Sequence, residues 1–409
     1  MNPNPTHKII NDPIYGFISV PSKLIFQLIE DPYFQRLRRI SQMGMSYLVY
    51  PGAHHTRFHH ALGAYFLMQK AIQVLRNKGV EVSTTEEEAL YIAILLHDIG
   101  HGPFSHAMEN SIVENVNHEA ISLLFMEALN KKFNNRLTLA IQIFKNKYDR
   151  KFLHQLISSQ LDMDRLDYLR RDSFYTGVSE GAISSQRLIF MLNVKNDKLV
   201  VEEKGIYSVE KFIVARRLMY WQVYLHKTGI VAEQLLLRVL KRAKELTRNG
   251  VTLPASDSLS FFLNNSISKN EFTEEILTVF SKLDDYDIVS AMKSWATNED
   301  FVLRTLSEMI LNRNLLKIKL KKKPINPDKI SEKKKLFMSK HNLSENETSY
   351  FVFTGTIFNQ AYSMEKDTIN LLAKNGKIVD VAKASDQLNL KALSKKVTKY
   401  YICYPKTNN

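Results

Sequence analysis

The chain has 409 residues, enough for one large domain or two to three ordinary ones. Hydrophobic residues make up 44%, which excludes a disordered chain, and the single cysteine, Cys403, excludes a disulfide framework or a cysteine-rich zinc site. The formal charge of +14 favours anionic partners such as nucleotides, nucleic acid or polyphosphate.

Glycine and proline are sparse, which favours long helices. Residues 8–21, KIINDPIYGFISVP, alternate apolar and polar around a turn and read as a short hairpin or two edge strands. From Ser22 helical spacing takes over: a helix, a break at Asp31-Pro32, and a second helix ended by Gly44. A long helix is expected over 59–79, with Gly79 just past its end. Another is expected over 83–100, where Ser83 and two threonines precede three glutamates suited to a capping turn. Further helices follow near 106–115, 118–133, 135–147, 151–160 and 162–175, then a short strand pair at 198–209. Residues 209–248 hold one glycine and no proline and predict one very long helix; shorter helices fill 257–312.

The stretch from Lys317 to Lys335 is lysine-rich and reads as a solvated linker or, alternatively, a phosphate-binding patch. Residues 349–358 and 399–405 read as strands, with a helix at 389–396 between them. The expected organisation is an N-terminal hairpin with helices (1–50), a core (51–180), a helical extension (181–315), a lysine-rich linker (316–340) and a small α+β C-terminal lobe (341–409). No run of about 18 apolar residues and no signal-peptide core occurs, which with the lone cysteine reads as a soluble, cytoplasmic protein with no membrane partner.

Chemistry concentrates in LLHDIGHGPFSH (95–106). His59, His60, His97, Asp98, His101, His106 and His118 fall within about 60 residues, and mixed imidazole and carboxylate suits one divalent ion of Mn, Fe, Zn, Co or Ni. On a continuing helix His97 and Asp98 would diverge by about 100°. They converge only at a helix end or in a groove between helices, and Gly100, Gly102 and Pro103 supply such an end. Two ligands are too few, so others must come from elsewhere; His60 and an aspartate of QLDMDRLDYLRRD (160–172) are candidates. There Asp164, Tyr168 and Asp172 share one helix face, as Arg216, Tyr220 and Tyr224 do further on. His154 and His226 read as satisfied core residues, and His7 as surface.

HTRFHHALG (55–63), HDIGHGPFSH (97–106), NHE (117–119) and DMDRLDYLRRD (162–172) together resemble the HD-domain phosphohydrolases. The resemblance is to the deoxynucleoside triphosphate triphosphohydrolase branch and runs through YWQVYLHKT (220–228). It implies a mainly α fold, an HD-domain helical bundle with small peripheral strands. It implies a metal on His60, His97, Asp98 and Asp164, with Asp98 also orienting water, and catalytic histidines at His101, His106 and His118. Gln42, Arg57, Arg165, Tyr168, Asp172, Arg216, Tyr220 and Tyr224 fall to the substrate, and His106 to the general acid.

The implied reaction is metal-dependent hydrolysis of a deoxynucleoside triphosphate to deoxynucleoside and tripolyphosphate, with Mg on the triphosphate as a second ion. The implied partners are the nucleotide and copies of the chain in a dimer or tetramer; the net charge, separately, makes single-stranded nucleic acid an expected partner of the basic surface. The alternatives are an HD-type enzyme for a cyclic or modified nucleotide, and an idle nucleotide- or nucleic-acid-binding protein. The chain departs from the family pattern at Arg165, where a lysine is usual, at Met43, and at His59, where glutamate is common.

Overall fold

A computed structural model describes residues 8–104, 116–268, 271–365, 367–386 and 393–406. The chain is mainly helical, as expected, with three small sheets among the described residues. Strands β1 (Lys8–Asp12) and β2 (Gly16–Val20) form the N-terminal antiparallel hairpin. Helix α1 (Lys23–Glu30) stops at the Asp31-Pro32 break, because Asp31 is extended and its carboxylate caps the next turn at Tyr33. That next element is not one helix to Gly44 but short turns, Pro32–Gln35 and Arg36–Arg39.

Three helices carry the site: α2 (Arg57–Asn77), α3 (Thr84–Leu96) and α5 (Met163–Thr176), with α4 (His118–Lys132) beside them. Their ends follow local chemistry. In α3, Ser83 Oγ accepts from Glu86 N–H at 3.2 Å while Glu86 returns an oxygen to Ser83 N–H at 2.9 Å. In α5, Asp162 accepts from Arg165 N–H at 2.7 Å, and Gly177 ends the helix at φ 72°. In α2 the imidazole of His59 accepts from Thr56 N–H at 3.1 Å. This gives a role to the histidine that replaces the family's glutamate, since that is the bond a glutamate makes at this helix position.

The single helix expected over 209–248 is two. Helix α6 (Ile206–Met219) widens into a π turn at Tyr220–Tyr224, where Leu225 N–H reaches back to Tyr220 O at 2.7 Å. His226 is extended, and its Nδ1 accepts from Thr228 N–H, which starts helix α7 (Lys227–Arg248). No proline or glycine signals this break; a side-chain cap makes it. The strand pair expected at 198–209 also differs. Strand β4 (Lys198–Glu202) pairs upstream with β3 (Leu192–Lys195), because Asn196 and Asp197 supply a positive-φ turn before it.

Helix α8 (Asp285–Trp295) precedes the stretch read as a linker, which itself holds strand β5 (Lys317–Lys321) and most of helix α9 (Pro327–His341). Strand β5 lies at the edge of a sheet ordered β5-β9-β6, with β6 (Phe353–Asn359) and β9 (Val397–Tyr404). Strand β7 (Asn370–Leu372) pairs in parallel with β4 and antiparallel with β8 (Ile378–Asp380). One hydrophobic core therefore runs from Ile18 through Leu95 and Leu235 to Phe351 and Cys403, so the C-terminal lobe packs into the main body. The helix expected at 106–115 and the first half of the one expected at 389–396 lie outside the described residues. Among the described residues no helix is long and apolar enough to cross a membrane.

Candidate active site

Helix α3 delivers its payload at its C-terminal end. Its last two turns, Ala89 to Leu96, are almost wholly buried, so His97 and Asp98 emerge from the core rather than from a surface. The turn after them is clamped. Ser122 of α4 donates to His97 O at 2.8 Å and accepts from Gly100 N–H at 2.9 Å. A side chain at Gly100 would sit 2.2 Å from Ser122 N, so only glycine lets the turn approach α4 this closely. Buried Arg36 donates to Ile99 O at 2.8 Å, and Asp285 of α8 accepts from Phe104 N–H at 2.8 Å.

Helices α2 and α5 bring the other two groups. His60 Nε2 lies 3.3 Å from His97 Nε2, 3.1 Å from Asp164 Oδ1 and 3.8 Å from Asp98 Oδ2. His97 Nε2 lies 3.5 Å from Asp98 Oδ1 and 3.6 Å from Asp164 Oδ1. Atoms bound about 2.1 Å from one ion stand roughly 3.0–3.4 Å apart, so the 3.1 and 3.3 Å separations fit a shared ion as they stand, while those of 3.5–3.8 Å, both of Asp98's among them, are wider. The outer nitrogens are already engaged. His60 Nδ1 meets Asp167 Oδ2 at 2.7 Å, and His97 Nδ1 meets Ile94 O at 2.6 Å. With an ion bound, each Nδ1 would keep the proton and each Nε2 would turn its lone pair to the ion. Burial lowers the basicity of His60, but the bonds from Asp164 and Asp167 outweigh it and hold its pKa up at about 10. The cluster demands positive charge between its nitrogens and carboxylates, and a divalent cation answers that demand.

Asp167, Arg171 and Asp12 were not singled out in the sequence. Arg171 donates to Asp167 at 2.9 and 3.0 Å and to Asp12 Oδ2 at 2.8 Å. A buried chain thus runs from the β1–β2 hairpin to the back of His60. A side chain at Gly63 would fall 2.0 Å from Asp167 Oδ1, so the glycine of HHALG makes room for this chain. The signal lay in the i, i+4 spacing of Asp167 and Arg171 on a helix already read as active.

Around the cluster, Asp98 also pairs with Arg57 and lies 3.4 Å from His101 Nε2. His101 stacks on His118 with ring centroids 3.9 Å apart, so Asp98, His101 and His118 form a second group next to the first. Burial and the Arg57 charge push the His101 imidazole well below its usual pKa. His106 lies outside the described residues. Asp172 accepts from Tyr224 OH at 2.7 Å and meets His55 Nε2 at 2.7 Å. Tyr168 sits 6.5 Å from the His60 ring and 6.1 Å from Tyr224, and Tyr220 sits 5.1 Å from Tyr224, with Arg216 over Tyr220. Arg165 folds back on Asp162 and Ser159 O. Gln42 Oε1 and Arg216 Nε are buried with no hydrogen-bond partner among the described residues. These contacts join the four expected metal ligands to His101, His118 and Arg57 and set Tyr168, Asp172, Tyr220, Tyr224 and Arg216 beside them, while Gln42 reaches them through its N–H to His55 O at 3.0 Å.

Comparison with known proteins places the chain in a family. The HD domain family matches residues 57–172, and the HD associated region matches residues 183–262. A phosphohydrolase of Bacteroides thetaiotaomicron, known from a crystal structure, is 53% identical with a TM-score of 0.95 over 98% of this chain and 100% of that one. An uncharacterised protein of Bacillus subtilis is 32% identical over 98% of this chain and 92% of its own length. A Dictyostelium discoideum homologue of the deoxynucleoside triphosphate triphosphohydrolase SAMHD1 is 31% identical over 59% of this chain and 50% of its own length. The chain belongs to the HD-domain phosphohydrolase superfamily and resembles its deoxynucleoside triphosphate triphosphohydrolase branch.

Proposed function

We propose that the protein hydrolyses deoxynucleoside triphosphates to deoxynucleoside and tripolyphosphate. The observation that carries this reading is a wall of arginine and tyrosine standing against a buried cluster of two imidazoles and two carboxylates. Tyr168, Tyr220 and Tyr224 offer flat faces and, with Asp172, polar tips for a sugar. Burial raises the Tyr168 and Tyr224 hydroxyls well above the ordinary tyrosine range, so both stay protonated donors. Arg57, Arg165 and Arg216 can neutralise a triphosphate with forked donors, and buried Gln42 Oε1 offers an acceptor.

His60, His97, Asp98 and Asp164 would hold the ion, which when bound supplies charge to the α-phosphate and makes a water more acidic. In the reaction a water oxygen bonds to the α-phosphorus as the bond from that phosphorus to O5′ breaks. The water proton passes to the Asp98–His101 pair, and His106 delivers a proton to O5′. His118, stacked on His101, holds that ring in place.

The test is incubation of the purified protein with each of the four deoxynucleoside triphosphates and Mn or Mg, followed by identification of the phosphate product. Tripolyphosphate is expected. Monophosphate released from a cyclic diester, with all four triphosphates intact, overturns the reading.

A further inference from the structure

Strand β5 and helix α9 enclose a second feature, unrelated to the metal cluster. The sequence KIKLKKKPINPDKISEKKK (317–335) carries nine lysines and two acids. In the register of β5 with β9, Lys317 faces Tyr404 and Lys319 faces Ile402, while Ile318 faces Cys403. Strand side chains alternate, so Ile318, Leu320 and Cys403 turn to the main core, and Lys317, Lys319 and Lys321 share the opposite face with Ile402 and Tyr404. On that face Ile402, Tyr404 and Val352 form a small separate apolar cluster, with Ile325, Ile330 and Phe337 packed on it. Helix α9 lies over it, and none of the helix's own residues is fully buried.

Between strand and helix lies a cleft of about 620 Å³. Lys319 and Lys321 line it from the strand, Lys329 and Lys333 from the helix, with Ile402 and Tyr404 in the lining as well. Two ammonium groups from different elements converge on one ring: Lys319 Nζ is 5.9 Å and Lys333 Nζ 5.6 Å from the Tyr404 centroid. Glu332 is the one acid lining the cleft, and among the described residues it meets only Lys333, at 3.9 Å. Lys319, Lys321 and Lys329 make no ion pair among the described residues. Like charges gathered this way repel one another, and a polyanion would relieve the repulsion.

We propose that this cleft binds the backbone of a single-stranded nucleic acid. The charge selects a chain of phosphates. Exposed Pro324 and half-buried Ile325 in the lining favour a chain with sugar and base surface to cover them, which inorganic polyphosphate lacks. The concave shape admits one strand where a duplex, about 20 Å across, would meet only the rim. With Tyr404 buried, no aromatic face is free to stack on a base, so binding is independent of sequence. The proposal does not depend on the reaction proposed above.

The test uses the full chain and a labelled oligothymidylate of about 15 nucleotides, with anisotropy read across a salt series. If four lysines each meet one phosphate, log K falls against log salt with a slope of about −3, at about 0.7 per phosphate for single strands. The variant Lys319→Gln/Lys321→Gln/Lys329→Gln/Lys333→Gln is expected to lose at least about tenfold in affinity and most of the slope, with nucleotide hydrolysis and melting temperature unchanged. Unaltered binding by that variant overturns the site. Tighter binding to a duplex or to inorganic polyphosphate overturns the occupant, as does binding to phosphatidylglycerol vesicles with none to the oligonucleotide.

Discussion

The metal cluster and the lysine cleft are both built from charge, and they handle it in opposite ways. In the cluster every carboxylate has a counter-charge or donor: Asp98 has Arg57, Asp164 has His60 and His97, Asp167 has His60 and Arg171. The groups are buried, so each pairing matters. An unpartnered charge there costs several kcal/mol, of order 3–5 when one member of a buried pair is removed. In the cleft most lysines are exposed and water screens them, so they can stand unpaired at little cost. Buried charge is thus committed to a fixed structure, while exposed charge is left available for a partner.

The contrast predicts a graded series of effects. The largest belongs to His97→Ala/Asp98→Ala, which should abolish both bound metal and hydrolysis; a metal-loaded, active double variant would break the assignment. Next, Arg171→Met strands Asp12 and Asp167 in the core and should cost about 3–5 kcal/mol of stability, read by denaturant unfolding. Asp167→Asn keeps the shape but removes the charge behind His60. It should weaken metal binding roughly 10–100-fold, measured by chelator competition, while the protein stays folded. Stripping the metal with a chelator should lower the melting temperature of the wild type and leave the His97→Ala/Asp98→Ala variant unmoved. The smallest effect belongs to the cleft, where single Lys→Gln changes should shift stability by less than about 0.5 kcal/mol. A loss of several kcal/mol there would show the lysines to be structural and erase the contrast.

The expected metal ligands share a legible property: each stands next to a local signal. His97 and Asp98 follow a buried apolar run, His60 opens a helix after TRF, and Asp164 begins the first turn of α5. Substrate-side positions came through helical spacing, as with Asp164, Tyr168 and Asp172. The residues that escaped notice act across distance. Ser122 clamps the His97 turn from α4, Arg36 reaches Ile99 from an N-terminal turn, and Asp12 reaches Arg171 from the hairpin. Their sequence neighbourhoods are ordinary, because what makes them matter is a partner 25, 63 or 159 positions away.

By itself, then, the sequence determined the helical class, the buried delivery of His97 and Asp98, and a set of imidazoles and carboxylates that could hold a divalent ion, because these depend on side-chain periodicity and ligand identity. Only the tertiary structure decided that Arg171 and Asp12 stand behind His60, that helix 209–248 breaks at a capping histidine, and that a lysine run becomes a cleft wall. Each of those outcomes turns on which groups meet once remote segments pack. Burial, pairing and concavity are properties of the assembled chain and have no local code.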